Sequence, residues 1–501
     1  MSEEFTDQPG TGTTVNLSLI SHTNAGKTTL ARTLLGRDIG EVRDAAHVTD
    51  LASGHVLVQA GEDTLMLWDT PGFGDTARLL QRLRMSGNPI GWFLNQVWDR
   101  WRERPLWSSQ QAVKNAREQA DVILYMVNAA EDPAATSYVA LEMEVLEWIG
   151  KPVVVLLNQL GPPREDVSGE VARWHDIGAP GQVAATLPLD AFARVWVQEG
   201  ALLEAVEPLL PREKREPMER LRTRWHELNR ERFDASMTVL ARYLLRAACD
   251  REPVEDAGWQ GKLTAAVAGR EKGDAAAGKA MKALGLRLAE ATAASTDELI
   301  QLHNLSGRAA RKVLDRVSQD YAHNEKITEG AAGALGGLLT GAATGLGADV
   351  MAGGLTLGGG MIVGGILGAL GATAAAKGIN MARGEEGNTV RWAEDFYERL
   401  IVTSLLRYLA VAHYGRGRGD WDEGEHPPHW QGMVESAVVE RRAGFADIRK
   451  ACRNEDAVVQ DRLAALLRET GLDVLARLYP DAAAGPAARR SSSQGTSNSA
   501  K

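Results

Sequence analysis

Ser21 to Leu30 read SHTNAGKTTL, and no other stretch restricts the first part of the chain so tightly. Before it runs TVNLSLI, Thr14 to Ile20, a short apolar, β-branched segment that predicts a buried strand. After it, KTTLARTLLG places Leu30, Leu34 and Leu35 on one helical face and stops at Gly36. Strand, tight loop and helix N-terminus in that order form a cradle for an anion, because loop N–H groups point inward and the helix dipole favours negative charge. The spacing fits the phosphate-loop pattern G-x-x-x-x-G-K-[ST]. Gly26, Lys27 and Thr28 fill the demanding positions, and Ser21 stands where the first glycine is expected. In such a loop the lysine reaches the β/γ-phosphates and the following hydroxyl binds Mg²⁺. Asn24, Ala25, Gly26, Lys27, Thr28 and Thr29 are therefore the candidate nucleotide-binding residues here.

A second motif follows. TLMLWDTPGFGD, Thr64 to Asp75, reads as a strand that ends in Asp69 and passes into a glycine turn. A strand-terminal aspartate of this kind can hold Mg²⁺ through water, and Gly72 can offer its N–H to a γ-phosphate. Between the motifs, Thr49 is the sole threonine from Leu34 to Asp63 and precedes the strand HVLVQAG, His55 to Gly61. It is the candidate that closes over the γ-phosphate and Mg²⁺, in a loop released on hydrolysis; the plain alternative is a surface threonine. The candidate catalytic set is Lys27, Thr49 and Gly72, and the candidate metal set is Thr28, Thr49 and Asp69.

The 501 residues are enough for two or three domains, and the net charge of −10 argues against nucleic acid as the main partner. Residues 14–210 alternate strand-like and helical patterns, which predicts an α/β, Rossmann-like domain. Residues 211–480 are expected to be mainly helical, and 1–13 and 481–501 disordered, with no secretory signal in the polar opening MSEEFTDQPGTGT. Cys249 and Cys452 lack metal-ligand spacing and suit a reducing cytosol, with no chemistry expected of them.

Two segments stand apart from this plan. An aromatic insertion at about 75–110 contains NPIGWFLNQVWDRWRERPLW, with Leu94, Val97 or Trp98, and Trp101 at helical spacing. It would transmit nucleotide state, or pack the helical domain onto the first, or, against the acidic balance, serve as a stacking platform for a dinucleotide or RNA. Residues 330–376 carry a single charge, Asp349, and place Gly333, Gly337, Gly341 and Gly345, then Gly360, Gly364 and Gly368, at every fourth position. Small residues so spaced let helix backbones approach closely in a membrane. The two runs flanking Asp349 would each extend roughly 27–40 Å as helices. Arg316 and Lys326 before them and Lys377 and Arg383 after them suit a hairpin with both ends on the cytosolic side. The alternative is a buried Gly/Ala helix pair, or a glycine loop, in a soluble protein.

The strand, NAGKTT, the lone threonine, DTPG and then PVVVLLNQLG resemble the translation-factor-related GTPases of the Era/TrmE-like branch. The resemblance spans residues 14–210 and implies GTP and Mg²⁺ as ligands. It also implies a K⁺ ion at Asn24 in place of an arginine finger; the alternative is that Asn24 serves only the loop conformation. The whole chain resembles a bacterial family in which such a domain precedes domain of unknown function 3482, through GWFLNQVWDRWRERP, LNQLGPPR, LPLDAFARVWVQEG and HYGRGRG. Two positions depart from the branch. The base-reading motif N-K-x-D is here Asn158, Gln159, Leu160 and Gly161, so the carboxylate that accepts guanine N–H groups is missing and ATP stays open. Phe73 stands where many relatives carry a water-orienting glutamine, which implies slow hydrolysis.

These readings combine into a GTP-binding switch at the cytoplasmic face of the inner membrane, with self-association as a further expectation. The alternatives are a soluble, cytoplasmic, Era-like GTPase linked to the ribosome or RNA, and a scaffold that binds nucleotide without hydrolysing it. Lys27 is the only cation in Ser21–Thr28. Lys27→Ala is expected to abolish triphosphate binding in calorimetry; unchanged affinity would remove the phosphate-loop assignment.

Overall fold

The structure, a computed structural model, describes residues 12–23, 25–36, 52–74, 76–84, 104–160, 168–189, 195–253, 271–305, 379–384, 387–413, 428–452 and 455–480. Asn24, Thr49, Gly161, the insertion residues Leu94 to Trp101 and the glycine-rich 330–376 lie outside them.

The first part builds β1 (Thr14–Ser21), α1 (Lys27–Leu35), β2 (Ser53–Ala60), β3 (Asp63–Asp69), α2 (Thr76–Leu83), α3 (Arg104–Glu118), β4 (Val122–Asn128), α4 (Ser137–Ile149), β5 (Val153–Asn158), α5 (Ser168–His175), β6 (Val183–Pro188) and α6 (Trp196–Val206). Its six-stranded sheet has the order β2-β3-β1-β4-β5-β6. β2 runs antiparallel to β3, and the remaining neighbours are parallel. Parallel strands covered on both faces are apolar throughout; β5, VVVLLN, is buried at every residue.

Period-two alternation divides those side chains between two cores. Ile123, Tyr125 and Val127 of β4 face one, with α4 residues Val139, Met143 and Leu146. Val122, Leu124 and Met126 face the other, with Leu30 and Leu34 of α1 and Leu202 and Leu203 of α6. Chain order departs to both sides of β1, whose neighbours are β3 and β4. In open α/β sheets such a reversal leaves a crevice at the carboxyl ends of the strands. The loops after β1 and β3, which carry the two motifs, open there.

A helix of 38 residues follows, α7 (Arg212–Cys249). Its Met218, Leu221 and Trp225 belong to the core of α1 and α6, and Lys214 Nζ pairs with Asp121 at 2.7 Å. The chain forms two compact units whose boundary falls inside α7, between Arg230 and Glu231. The second unit holds β7 (Arg251–Pro253), α8 (Glu271–Leu302), β8 (Ile379–Gly384), β9 (Gly387–Trp392), α9 (Glu394–Ala412), α10 (Pro428–Glu440), α11 (Arg442–Ala451) and α12 (Ala457–Leu478). It is mainly helical, as expected, but includes a three-stranded sheet, β7-β9-β8, that the sequence reading did not foresee. α9 is its central helix, with buried Ile401, Leu405, Tyr408 and Leu409.

The cysteines correct an expectation. Cys249, at the end of α7, and Cys452, just past α11, form a disulfide with Cα atoms 5.7 Å apart. Their separation of 203 residues in sequence hid a pairing that only the fold creates. Among the described residues no helix is long and apolar enough to cross a membrane; the glycine-rich segment proposed for that role is not among them.

Candidate nucleotide-binding site

The site is built where β1 and β3 end side by side, with Leu19 in register with Asp69. After β1 the chain turns through the loop and enters α1 at Lys27, with Gly26 as the N-cap. Gly26 has φ 93°, left-handed backbone that an L side chain adopts only with strain. A Cβ there would lie 3.0 Å from Asn158 Nδ2, and that same amide donates to Ala25 O at 2.9 Å. Asn158, fully buried at the end of β5, thus braces the phosphate loop from behind. Gln159 follows with φ 57°, a left-handed turn that ends the strand.

Two charged side chains define the electrostatics. Lys27 is buried, and its Nζ donates to Ser21 Oγ at 3.0 Å. The serine in place of the first glycine therefore supplies the lysine with an acceptor, while its own hydroxyl donates to His22 O. Burial pushes the Lys27 ammonium below the usual lysine range, while Asp69 and Glu142 pull the other way. Burial likewise raises the Asp69 carboxyl, opposed by the charge of Lys27, the Thr28 hydrogen bond and the charge of Arg32. Asp69 Oδ2 accepts from Thr28 Oγ1 at 2.7 Å, and Asp69 Oδ1 is buried with no hydrogen-bond partner. A buried acceptor left unpaired is costly. A carboxylate oxygen of this kind beside a threonine hydroxyl is the hard oxygen set that suits Mg²⁺, whose remaining ligands come from water and phosphate. Thr28 and Asp69 would hold the ion.

The DTPGF segment lies against the loop. Phe73 N donates to Ser21 O at 2.9 Å, and Thr23 donates to Phe73 O from both N, at 3.1 Å, and Oγ1, at 2.6 Å. Thr70 Oγ1 donates to Leu19 O. Only glycine fits at 72, because a Cβ would stand 2.9 Å from Thr23 Cα and 3.1 Å from Lys27 Nζ. Phe73 is fully buried in the core with Leu79 and Leu80, so its side chain is a packing element. Thr29 is buried within α1 and its carbonyl accepts from Thr33 Oγ1 at 2.7 Å. Lys27, Thr28, Asp69, Gly72, Ala25, Gly26 and Asn158 thus lie together around the end of β1.

The sequence reading missed a second ring of residues. His22, Thr76, Tyr125 and Glu142 meet behind the loop, and Gly74 N donates to Ser109 Oγ on α3. A signal was present: Glu142 shares the face of α4 that buries Val139, Met143 and Leu146, and a carboxylate on an apolar face requires partners. Among the described residues no group of three or more His, Cys, Asp or Glu is arranged to hold a metal.

A model of the family described as 50S ribosome-binding GTPase matches residues 16–159, and that of domain of unknown function 3482 matches residues 181–467. The second match covers more than half of the chain. The chain belongs to the DUF3482 family. In this DUF3482 protein the GTPase model falls on the α/β domain that carries the phosphate-loop motif, and the mainly helical region follows it. Among solved structures it is similar to an Aquifex aeolicus Era variant bound to GDP·AlF4⁻, at 20% identity over 40% of this chain and 57% of that one, with a TM-score of 0.29. It is similar to Era in complex with MgGDPNP and a segment of 16S ribosomal RNA, at 20% identity over 40% and 58%, TM-score 0.29. It is also similar to the FeoB G-domain of Methanococcus jannaschii, at 14% identity over 35% and 86%, TM-score 0.20. The DUF3482 protein thus spans less than two thirds of either Era chain it matches.

Gly72→Ala is expected to weaken binding of a non-hydrolysable GTP analogue by at least about ten-fold, since the added methyl must displace loop backbone or Lys27. Calorimetry on the variant checks this.

Proposed function

We propose that this protein is a slow, Mg²⁺-dependent GTPase that works as a nucleotide switch at the inner membrane. The observation that carries the enzymatic part is the arrangement of Asp69, whose Oδ1 is buried and unpartnered while Oδ2 holds Thr28, close to Lys27 and with Gly72 against the loop. Such a site binds a magnesium triphosphate and presents the N–H of Gly72 to the terminal phosphate.

Two features support slow turnover and relaxed base choice. Phe73 is packed in the core, so the position that orients water in many relatives offers no polar group. Gly161 supplies no carboxylate for guanine, while Asn158 donates one amide N–H to the loop carbonyl of Ala25. GTP is therefore preferred over ATP by a modest factor. Asn24 would hold K⁺, whose charge would serve where an arginine finger is absent. Thr49 closes over the γ-phosphate. The 330–376 hairpin, with its single charge and four-residue glycine spacing, attaches the protein to the membrane, where copies associate with one another.

Phosphate release from GTP and from ATP, in potassium and in sodium, tests the enzymatic part on one preparation. Turnover with GTP, below about 1 s⁻¹ and faster in potassium, is expected; equal rates in the two salts remove the ion from Asn24, and no release from either nucleotide removes the hydrolase. Fractionation of lysed cells tests the membrane part: the full chain pellets, and deletion of 330–376 releases a nucleotide-binding protein. A supernatant full-length protein contradicts it.

A further inference from the structure

Three donors from three segments converge on one carboxylate behind the phosphate loop. Glu142, in the middle of α4, is fully buried. Its Oε1 lies 2.7 Å from His22 Nδ1 and 3.1 Å from Thr76 Oγ1. Its Oε2 accepts from Tyr125 OH at 2.8 Å. The His22 ring is stacked on Tyr138 with centroids 4.0 Å apart, and Tyr138 OH donates in turn to Glu131.

Packing gives no reason for an acid here. The same face of α4 buries Val139, Met143 and Leu146, and an apolar residue would fill the position without desolvating a charged group. What the carboxylate adds is a connection. His22 is the second residue of the phosphate loop, and Thr76 is the first residue of α2, just past DTPGFG. Both reach the same oxygen.

The loop and DTPGFG are already joined once, through the backbone of Ser21, Thr23 and Phe73. The shared carboxylate joins them a second time, on the far side of Gly74. Gly72, which meets the terminal phosphate, lies one residue before the first tie, and the Thr76 tie keeps the residues that follow from swinging away. On the GTPase reading the N–H of Gly72 would meet the γ-phosphate, which a diphosphate lacks.

We propose that Glu142 is a positioning residue that holds the DTPGFG segment on the phosphate loop through Thr76 and His22, and so lets the site distinguish a nucleoside triphosphate from a diphosphate. This rests on the GTPase reading above. The rival role is purely structural: Glu142 ties α4 to β4 through Tyr125 and is indifferent to the ligand.

The two roles separate in the full-length protein by measuring dissociation constants for GDP and for GDPNP, together with single-turnover hydrolysis of GTP. Thr76→Val removes the hydroxyl at nearly constant volume, and His22→Phe keeps the ring on Tyr138 but removes the nitrogen. Each is expected to weaken GDPNP about ten-fold and slow the hydrolytic step, with GDP affinity held within about two-fold. Retained GDP binding also shows that each variant is folded. Tyr125→Phe, which touches only the other oxygen, leaves the GDP-to-GDPNP ratio as it was. Loss of GDP and GDPNP binding in equal measure, or no change in either, overturns the positioning role while the GTPase reading stands. No binding of either nucleotide by the unaltered protein overturns the GTPase reading and this proposal with it.

Discussion

The ammonium of Lys27 sits where little water reaches it, and much of the first domain is organised around that charge. An isolated buried ion loses several kcal/mol of hydration, so it persists only with partners of opposite sign or good acceptors. Here Ser21 Oγ accepts from it directly, and Asp69 and Glu142 act on it through their charge. Those acids come from the end of β3 and the middle of α4. Two elements that are distant in sequence from the loop are therefore held to it by electrostatics as well as by packing. A bound triphosphate would meet a lysine that is already positioned and stripped of most of its water, which strengthens every contact it makes.

The same economy explains why the DTPGF segment lies so close. Asp69 must be near Lys27, and the chain leaves Asp69 through a threonine whose hydroxyl is tied to β1. Glycine at 72 lets the backbone approach Thr23 to within van der Waals limits, and Phe73 then turns into the core beside Leu79 and Leu80. The segment is anchored by its own hydrophobic residue on one side and by hydrogen bonds to the loop on the other. In the second unit the same physics recurs. Arg407 is buried on α9, with Nη1 donating to Thr292 O and Thr296 Oγ1 and its guanidinium over the Tyr243 ring, so α7, α8 and α9 meet around a polar centre.

The sequence made the first domain legible because its signals are local. The run from Thr14 to Gly36 contains strand, loop, helix and stop in consecutive residues, and each is where the pattern places it. Asp69 was readable because it ends an alternating strand. Glu142 was not, because its partners lie 120, 66 and 17 residues away along the chain; only its place on an apolar helix face hinted at them. The Cys249–Cys452 pairing was hidden for the same reason, and so was the β7-β9-β8 sheet, in which a three-residue strand after α7 pairs with a hairpin far downstream.

The account turns on Asp69 and Thr28 as a magnesium site beside a charged Lys27. The most direct measurement is the affinity of the full-length protein for GDPNP with Mg²⁺ and with the metal chelated. The account predicts binding that is at least about ten-fold tighter with Mg²⁺, because Thr28 and Asp69 would hold the ion and its charge would offset that of the phosphates. Equal affinity in the two conditions would contradict it.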